Sequence, residues 1–152
     1  MIIKLTKGKK TIIDDSDWEI VKNFSWHFSC GYAVRSIKID GNNGTLALHR
    51  FLMNTPKGFD TDHINGDKLD NRRSNLRICT RSQNSMNSRR KKYFTSKYKG
   101  VSWYKRDKCW RSYVNLSGKQ FHLGYFDSEI QAAKAYDMKA IEIYGNFACL
   151  NF

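Results

Sequence analysis

Hydrophobic and polar residues alternate along the first third of the chain, the period of a half-buried strand rather than of a helix. Ile2-Ile3-Lys4-Leu5 and Thr11-Ile12-Ile13 read as strands separated by Gly8. Asp14-Asp15-Ser16 then offers capping side chains for a short helix through Trp18, Ile20, Val21 and Phe24. The stretch from Gly31 to Ile39 alternates again, and Gly41-Asn42-Asn43-Gly44 predicts a turn before Thr45-Leu46-Ala47-Leu48, so the two form a hairpin.

The pattern changes from Tyr98 onward. Gly100–Lys105, Trp110–Leu116 and Lys119–Tyr125 are three strand-like segments joined by Arg106-Asp107-Lys108 and Ser117-Gly118. Ser128 and Gln131 fit a capping box, and Ala132, Ala133, Tyr136, Ala140, Ile143 and Tyr144 share one face of the helix that follows, with Gly145 as a left-handed stop. A three-stranded sheet backed by that helix is the simplest way to bury the stripe. Alternation places Val101, Trp103, Trp110, Ser112, Val114, Phe121 and Leu123 against the helix. Ser102, Tyr104, Arg106, Arg111, Tyr113, Asn115, Gln120 and His122 are left on the open face.

Between these halves, Arg89-Arg90-Lys91-Lys92 opens a stretch poor in apolar residues up to Lys97, read as an exposed basic linker. The whole chain carries a net charge of +13 over 152 residues, an excess that opposes compaction and points to a polyanionic partner. No segment pairs a basic face with a broad apolar one, so nucleic acid fits better than a membrane surface. No apolar run approaches the roughly 20 residues of a membrane span, and the N-terminus lacks signal-peptide features, so a cytoplasmic protein is expected. Cys30, Cys79, Cys109 and Cys149 are scattered without a Cys-x-x-Cys pair, and His27-x-x-Cys30 has no matching second pair. Buried free thiols and no structural zinc are the expectation.

The candidate chemistry lies in Asp62-His63-Ile64-Asn65-Gly66-Asp67, where Asn65-Gly66 predicts a hairpin turn with Asp62 and His63 on its first arm. Thr80 is placed to cap a helix through Ser82, Gln83, Asn84 and Met86. A hard divalent cation prefers oxygen ligands, which the Asp62 carboxylate and the Asn84 carbonyl supply. His63 titrates near neutrality and suits a general base toward water attacking a phosphate. Taken singly, each residue also has a plain reading: His63 as a hairpin surface residue, Asn71 as a turn cap, His49 as a packing residue. Arg72, Arg73 and Arg77 are candidate phosphate contacts.

The segments Leu48-His49-Arg50-Phe51-Leu52-Met53, Thr61-Asp62-His63-Ile64-Asn65-Gly66, Leu69-Asp70-Asn71-Arg72-Arg73-Ser74-Asn75-Leu76-Arg77 and Ser82-Gln83-Asn84 resemble the HNH endonuclease family, in its zinc-free branch of phage and bacterial nucleases. The resemblance implies a ββα-metal site in which His63 activates water, Asp62 and Asn84 hold one metal ion, and Asn75 braces the loop that aims the histidine. Asn84 stands where the family name has its second histidine. Farther on, Tyr98-Lys99-Gly100-Val101, Trp110-Arg111-Ser112-Tyr113-Val114, His122-Leu123-Gly124-Tyr125-Phe126 and the helix from Glu129 to Asp137 resemble the plant APETALA2/ethylene-response-factor DNA-binding domain. That family reads the major groove with its sheet. Several of its groove-facing arginines and tryptophans are here Ser102, Tyr104, Asn115 and His122, so the resemblance implies DNA binding but no target sequence.

The sequence therefore predicts an α+β chain. Residues 1–88 form the nuclease domain, with a β-rich part over 1–48 and the ββα-metal core over 49–88; 89–97 form the linker and 98–152 the DNA-binding domain. The expected function is metal-dependent endonuclease action on double-stranded DNA, of homing type, with Mg²⁺ as cofactor or Mn²⁺ in its place, and no membrane or obligatory protein partner. The alternatives are a non-catalytic sequence-specific DNA-binding regulator and an RNA-processing nuclease.

Overall fold

A computed structural model describes residues 1–88, 95–116 and 118–152. The basic run Arg89–Lys92, and with it most of the expected linker, lies outside the described residues, as does Ser117 of the expected turn. The chain forms two compact units, Met1–Asn84 and Ser85–Phe152.

The first unit is built from small antiparallel sheets. β1 (Ile2–Lys4) pairs with β2 (Lys10–Ile12), and β3 (His27–Ser29), β4 (Tyr32–Ile39) and β5 (Asn42–Ala47) form a second sheet in that order. The β4–β5 turn is Asp40-Gly41, both at positive φ (50° and 79°), so it sits one step ahead of the expected Gly41–Gly44 and Asn42 already belongs to a strand. A 3-10 turn (Asp15–Asp17) runs into α1 (Trp18–Val21). The expected cap there does not form. Asp14 instead accepts a hydrogen bond from the Arg73 backbone N–H (2.7 Å), and Asp17 takes the Arg73 guanidinium. These carboxylates tie α1 to a distant loop. α2 (Leu48–Leu52) begins directly after β5 and buries Leu48 and Leu52 against Leu5, Ile13, Val21, Trp26 and Ala33. At about 1.5–3 kcal/mol for each fully buried large aliphatic side chain, this cluster is the main cohesion of the unit.

β6 (Asp60–His63) and β7 (Leu76–Cys79) form a third, two-stranded sheet with Asp62 opposite Arg77 and His63 opposite Leu76. They are not joined by a tight turn at Asn65-Gly66. A long loop over 64–75 connects them, and only Gly66 has positive φ (74°). Buried polar side chains within that loop hold it, and they override the local turn preference. α3 (Arg81–Met86) opens with a capping box: Gln83 N–H donates to Thr80 Oγ1 (3.2 Å), and Thr80 N–H donates to Gln83 Oε1 (2.9 Å).

In the second unit β8 (Val101–Tyr104), β9 (Cys109–Leu116) and β10 (Lys119–Phe126) form an antiparallel sheet with β9 central, packed on α4 (Glu129–Tyr144). Ala132, Ala133, Tyr136, Ala140 and Tyr144 are buried against Val101 and Val114. Gly100 (φ 74°) lets the chain pass so close to the helix that a Cβ there would lie 1.9 Å from Tyr136 Cδ2. Ser128 makes no side-chain cap bond, so the expected capping box is absent, and Gly145 ends the helix at positive φ (52°). Asp137 is buried and accepts hydrogen bonds from the Asn151 and Phe152 N–H groups, fastening the last residues to α4.

All four cysteines are free thiols, but only Cys79 is buried and Cys30 is exposed. The expectation of four buried thiols fails because Cys30 sits at positive φ (49°) in the β3–β4 turn, where its side chain has no core to enter. Among the described residues no helix is long and apolar enough to cross a membrane.

Candidate functional site

The buried polar residues of the first unit concentrate on β6 and the loop that follows it. Thr61, Asp62, His63, Asp70, Asn71 and Asn75 are all less than a tenth exposed, and burying so many polar groups is tolerable only if they satisfy one another. A directed chain of hydrogen bonds runs through them. Thr11 Oγ1 donates its single proton to Leu69 O (2.7 Å), so toward Asn71 it can only accept, and Asn71 Nδ2 donates to it at 2.7 Å. The Asn71 carbonyl oxygen thereby faces His63 Nε2 at 3.3 Å. An amide oxygen cannot donate, so Nε2 carries the ring proton and Nδ1 carries the basic lone pair. Burial pushes the His63 pKa below its usual value, against the Asn71 hydrogen bond and the nearby Asp62, Asp67 and Asp70. The imidazole is neutral at pH 7.

Asn75 ties the loop back onto β6. Its Oδ1 accepts from the Asn65 N–H (2.9 Å), its Nδ2 donates to Asp70 O (2.8 Å), and its carbonyl accepts from the Ile64 N–H (2.9 Å). These bonds fix the backbone immediately after His63. Asn71, which reads as a turn cap in the sequence, is instead the residue that sets the histidine's tautomer. The only sequence signal was a carboxamide in a polar loop, which does not separate a cap from a buried partner.

The carboxylates are less uniform than the sequence suggests. Asp62 Oδ2 accepts from Arg77 Nε (2.9 Å) and Nη2 (2.6 Å). Asn84 Nδ2 donates to Asp60 Oδ2 (3.2 Å), two positions before Asp62 on the same face of β6. Asp60 carried no signal in the sequence. Arg72 and Arg73 grip the buried carboxylates of Asp70 and Asp17, both at 2.7 Å. All three arginines expected to track phosphates are thus engaged as clamps, because a buried carboxylate needs a paired cation more than the surface needs another charge.

A cleft of about 460 Å³ borders this region, lined in part by Tyr32, His49, Arg50, Asp60, Thr61 and Asn84. His49 is buried, with its ring 4.9 Å from His63 and 5.1 Å from Tyr32, and its Nδ1 has no hydrogen-bond partner among the described residues. Its pKa is pushed down to about 3, first by burial and then by His63. Among the described residues no three His, Cys, Asp or Glu side chains cluster as a metal cage. The donors present are carboxylate and carboxamide oxygens. That chemistry fits a hard divalent cation which keeps much of its water.

In the second unit the open face of the sheet gathers aromatic and basic side chains. The Arg111 guanidinium lies 5.7 Å from the Tyr104 and Tyr113 rings, with Arg106 5.2 Å from Tyr104. Arg106 is itself held by Asp107 (2.8 Å). Ser102, Asn115, Gln120 and His122 complete the expected face, with Gln120 opposite Asn115 and His122 opposite Tyr113. One member was missed. A bulge between His122 and Gly124 leaves Leu123 as the extra residue, so Tyr125 pairs with Arg111 and joins the open face. Its ring lies 4.5 Å from His122 and 5.5 Å from Tyr104. Trp103 and Phe121, expected against the helix, are 36% and 45% exposed, although their strand partners Trp110 and Val114 do pack toward α4.

Comparison with known proteins matches both halves. The family model described as HNH endonuclease covers residues 54–86, and that described as AP2 domain covers 96–146. An uncharacterized HNH endonuclease of Acanthamoeba polyphaga mimivirus is 32% identical over 152 residues, spanning 95% of this chain and 76% of the viral protein. Protein 3.8 of Escherichia phage T7 is 38% identical over 93 residues, spanning 61% of this chain and 76% of the phage protein. APETALA2-like protein 2 of rice is 45% identical over 58 residues, 38% of this chain and 13% of the plant protein. No solved structure matches.

Proposed function

Because the chain belongs to the HNH endonuclease family and carries an AP2 domain behind the HNH segment, we propose that it hydrolyses phosphodiester bonds of duplex DNA with a divalent metal ion. His63 Nδ1 takes the proton of the attacking water while Nε2–H stays on Asn71. Asn75 keeps the backbone after His63 from drifting. Asp62 and Asn84 hold the ion, Mg²⁺ or Mn²⁺, with Arg77 orienting the Asp62 carboxylate as partners of ligating carboxylates commonly do. When bound, the ion offsets negative charge on the phosphate and on the departing 3′ oxygen. The second unit holds the enzyme on the duplex through Ser102, Tyr104, Arg111, Tyr113, Asn115, Gln120 and His122. The relatives from a giant virus and a phage support a mobile, homing-type element, which a gene lying inside an intron or between phage genes would bear out.

The observation that carries the catalytic part is the chain Leu69–Thr11–Asn71–His63, which presents a neutral imidazole with one defined basic nitrogen. The test is cleavage of supercoiled plasmid with Mg²⁺, with and without chelator. Wild-type protein should yield relaxed or linear DNA only with the ion present. His63→Ala should cut about 10²–10⁴-fold more slowly while binding DNA nearly as well. Equal cleavage by the variant would rule out His63 as the base, and tight binding without any cleavage by wild type would leave a DNA-binding regulator.

A further inference from the structure

The mechanism leaves His49 unused, yet its position is hard to explain by packing alone. It stands in the first turn of α2, less than a tenth exposed, and lines the same cleft as Asp60 and Asn84. A buried imidazole nitrogen without a partner among the described residues is unfavourable, and native interiors rarely keep one. A phenylalanine or leucine would fill the space between Tyr32 and His63 without that penalty. His49 thus brings an imidazole to the wall of a cleft that also holds a carboxamide and a carboxylate.

We propose that His49 is a further protein ligand of the nuclease's divalent ion, and that Asp60 is the positioning residue which turns the Asn84 carbonyl oxygen toward that ion. The proposal rests on the nuclease reading above and deepens it. Asp60 Oδ2 already holds Asn84 Nδ2 at 3.2 Å, so the opposite end of the amide, its oxygen, is the end presented away from Asp60. Carboxylates that fix a ligating side chain from behind are common around metal sites. An imidazole added to oxygen donors changes the ion the site prefers. Mg²⁺ and Ca²⁺ favour all-oxygen sites, whereas Mn²⁺, Co²⁺ and Ni²⁺ bind imidazole well and increasingly tightly in that order. The site is therefore expected to bind Mn²⁺ more tightly than Mg²⁺, and Ni²⁺ more tightly still.

The experiment is a Mn²⁺ titration of the full chain without DNA, with free Mn²⁺ followed by electron paramagnetic resonance. His49→Ala should weaken Mn²⁺ binding by about tenfold or more and Mg²⁺ binding by less. Asp60→Asn should weaken both. In ¹⁵N-labelled wild-type protein, the His49 ring and the Asn84 side-chain amide should broaden at the lowest Mn²⁺ additions, a readout that survives even if His49→Ala fails to fold. Unchanged Mn²⁺ affinity in folded His49→Ala, or a sharp His49 ring signal when Asn84 has already broadened, overturns the assignment. If wild type binds Mn²⁺ and cleaves plasmid while His49 is indifferent, only this inference falls. If it neither binds the ion nor cleaves, the nuclease reading falls with it.

Discussion

Replacing Asn71 isolates what the loop does for the histidine. Asn71→Ala removes the acceptor of the His63 Nε2 proton and the donor to Thr11, both inside the protein. The His63 bond is long at 3.3 Å, so its loss sits low in the 1–3 kcal/mol range for an orphaned buried group. With the small cavity left by the side chain, the stability cost is about 2–3 kcal/mol. The catalytic loss is larger in consequence, because nothing then enforces which ring nitrogen carries the proton. It is bounded above by the whole general-base contribution, about 10²–10⁴-fold, and should amount to at least about tenfold. Asn71→Asp acts differently. A carboxylate beside Nε2 favours the protonated ring and raises the His63 pKa, so the acid limb of the pH–rate profile moves to higher pH and activity returns as pH rises. Single-turnover nicking at saturating DNA separates this chemistry from DNA affinity, which neither change should alter. A wild-type rate in folded Asn71→Ala, or an unmoved acid limb in Asn71→Asp, would refute the tautomer argument.

Two further outcomes test the surrounding structure. The His49 pKa falls from 6.5 unfolded to about 3 folded, so the folded state prefers the neutral ring. The stability this contributes is present above pH 6.5 and is lost as pH falls toward 3; by pH 5 the loss is about 2 kcal/mol. Urea unfolding followed by Trp fluorescence should show that loss in wild type and a smaller one in His49→Gln; equal pH dependence in both would remove the buried-imidazole explanation. In the second unit, Gly100→Ala should cost about 3 kcal/mol or more, since its Cβ would meet Tyr136 at 1.9 Å from a positive-φ backbone. A wild-type unfolding midpoint would show that the close approach is relaxed in solution.

How much was legible in the sequence depended on whether the deciding interaction was local. The three C-terminal strands and the alanine-rich face of α4 came from period alone, and the Thr80–Gln83 cap came from residues three apart. The hairpin expected at Asn65-Gly66 failed because Asn71 and Asn75 tie the loop to Thr11 and to β6, giving those residues better partners than a tight turn offers. Asp14, a good cap on paper, was drawn to the backbone N–H of Arg73, far along the chain, whose guanidinium went to Asp17. Tyr125 crossed to the open face because one bulged residue inverts the alternation, and nothing local to Leu123 marks it.

The sequence by itself determined the composition of the site and the two-part plan: which residues are able to accept a proton, bind an ion or meet a phosphate, and that a basic chain carries them. Which of them touch was decided by tertiary structure. Burial forces each polar group to find a partner from whatever the fold brings near, so Arg77 went to Asp62, Asn84 to Asp60 and Asn71 to His63. Spacing along the chain ranks candidates for such pairs, but the cost of leaving a buried charge or donor unmet selects among them, and that cost exists only once the interior has formed.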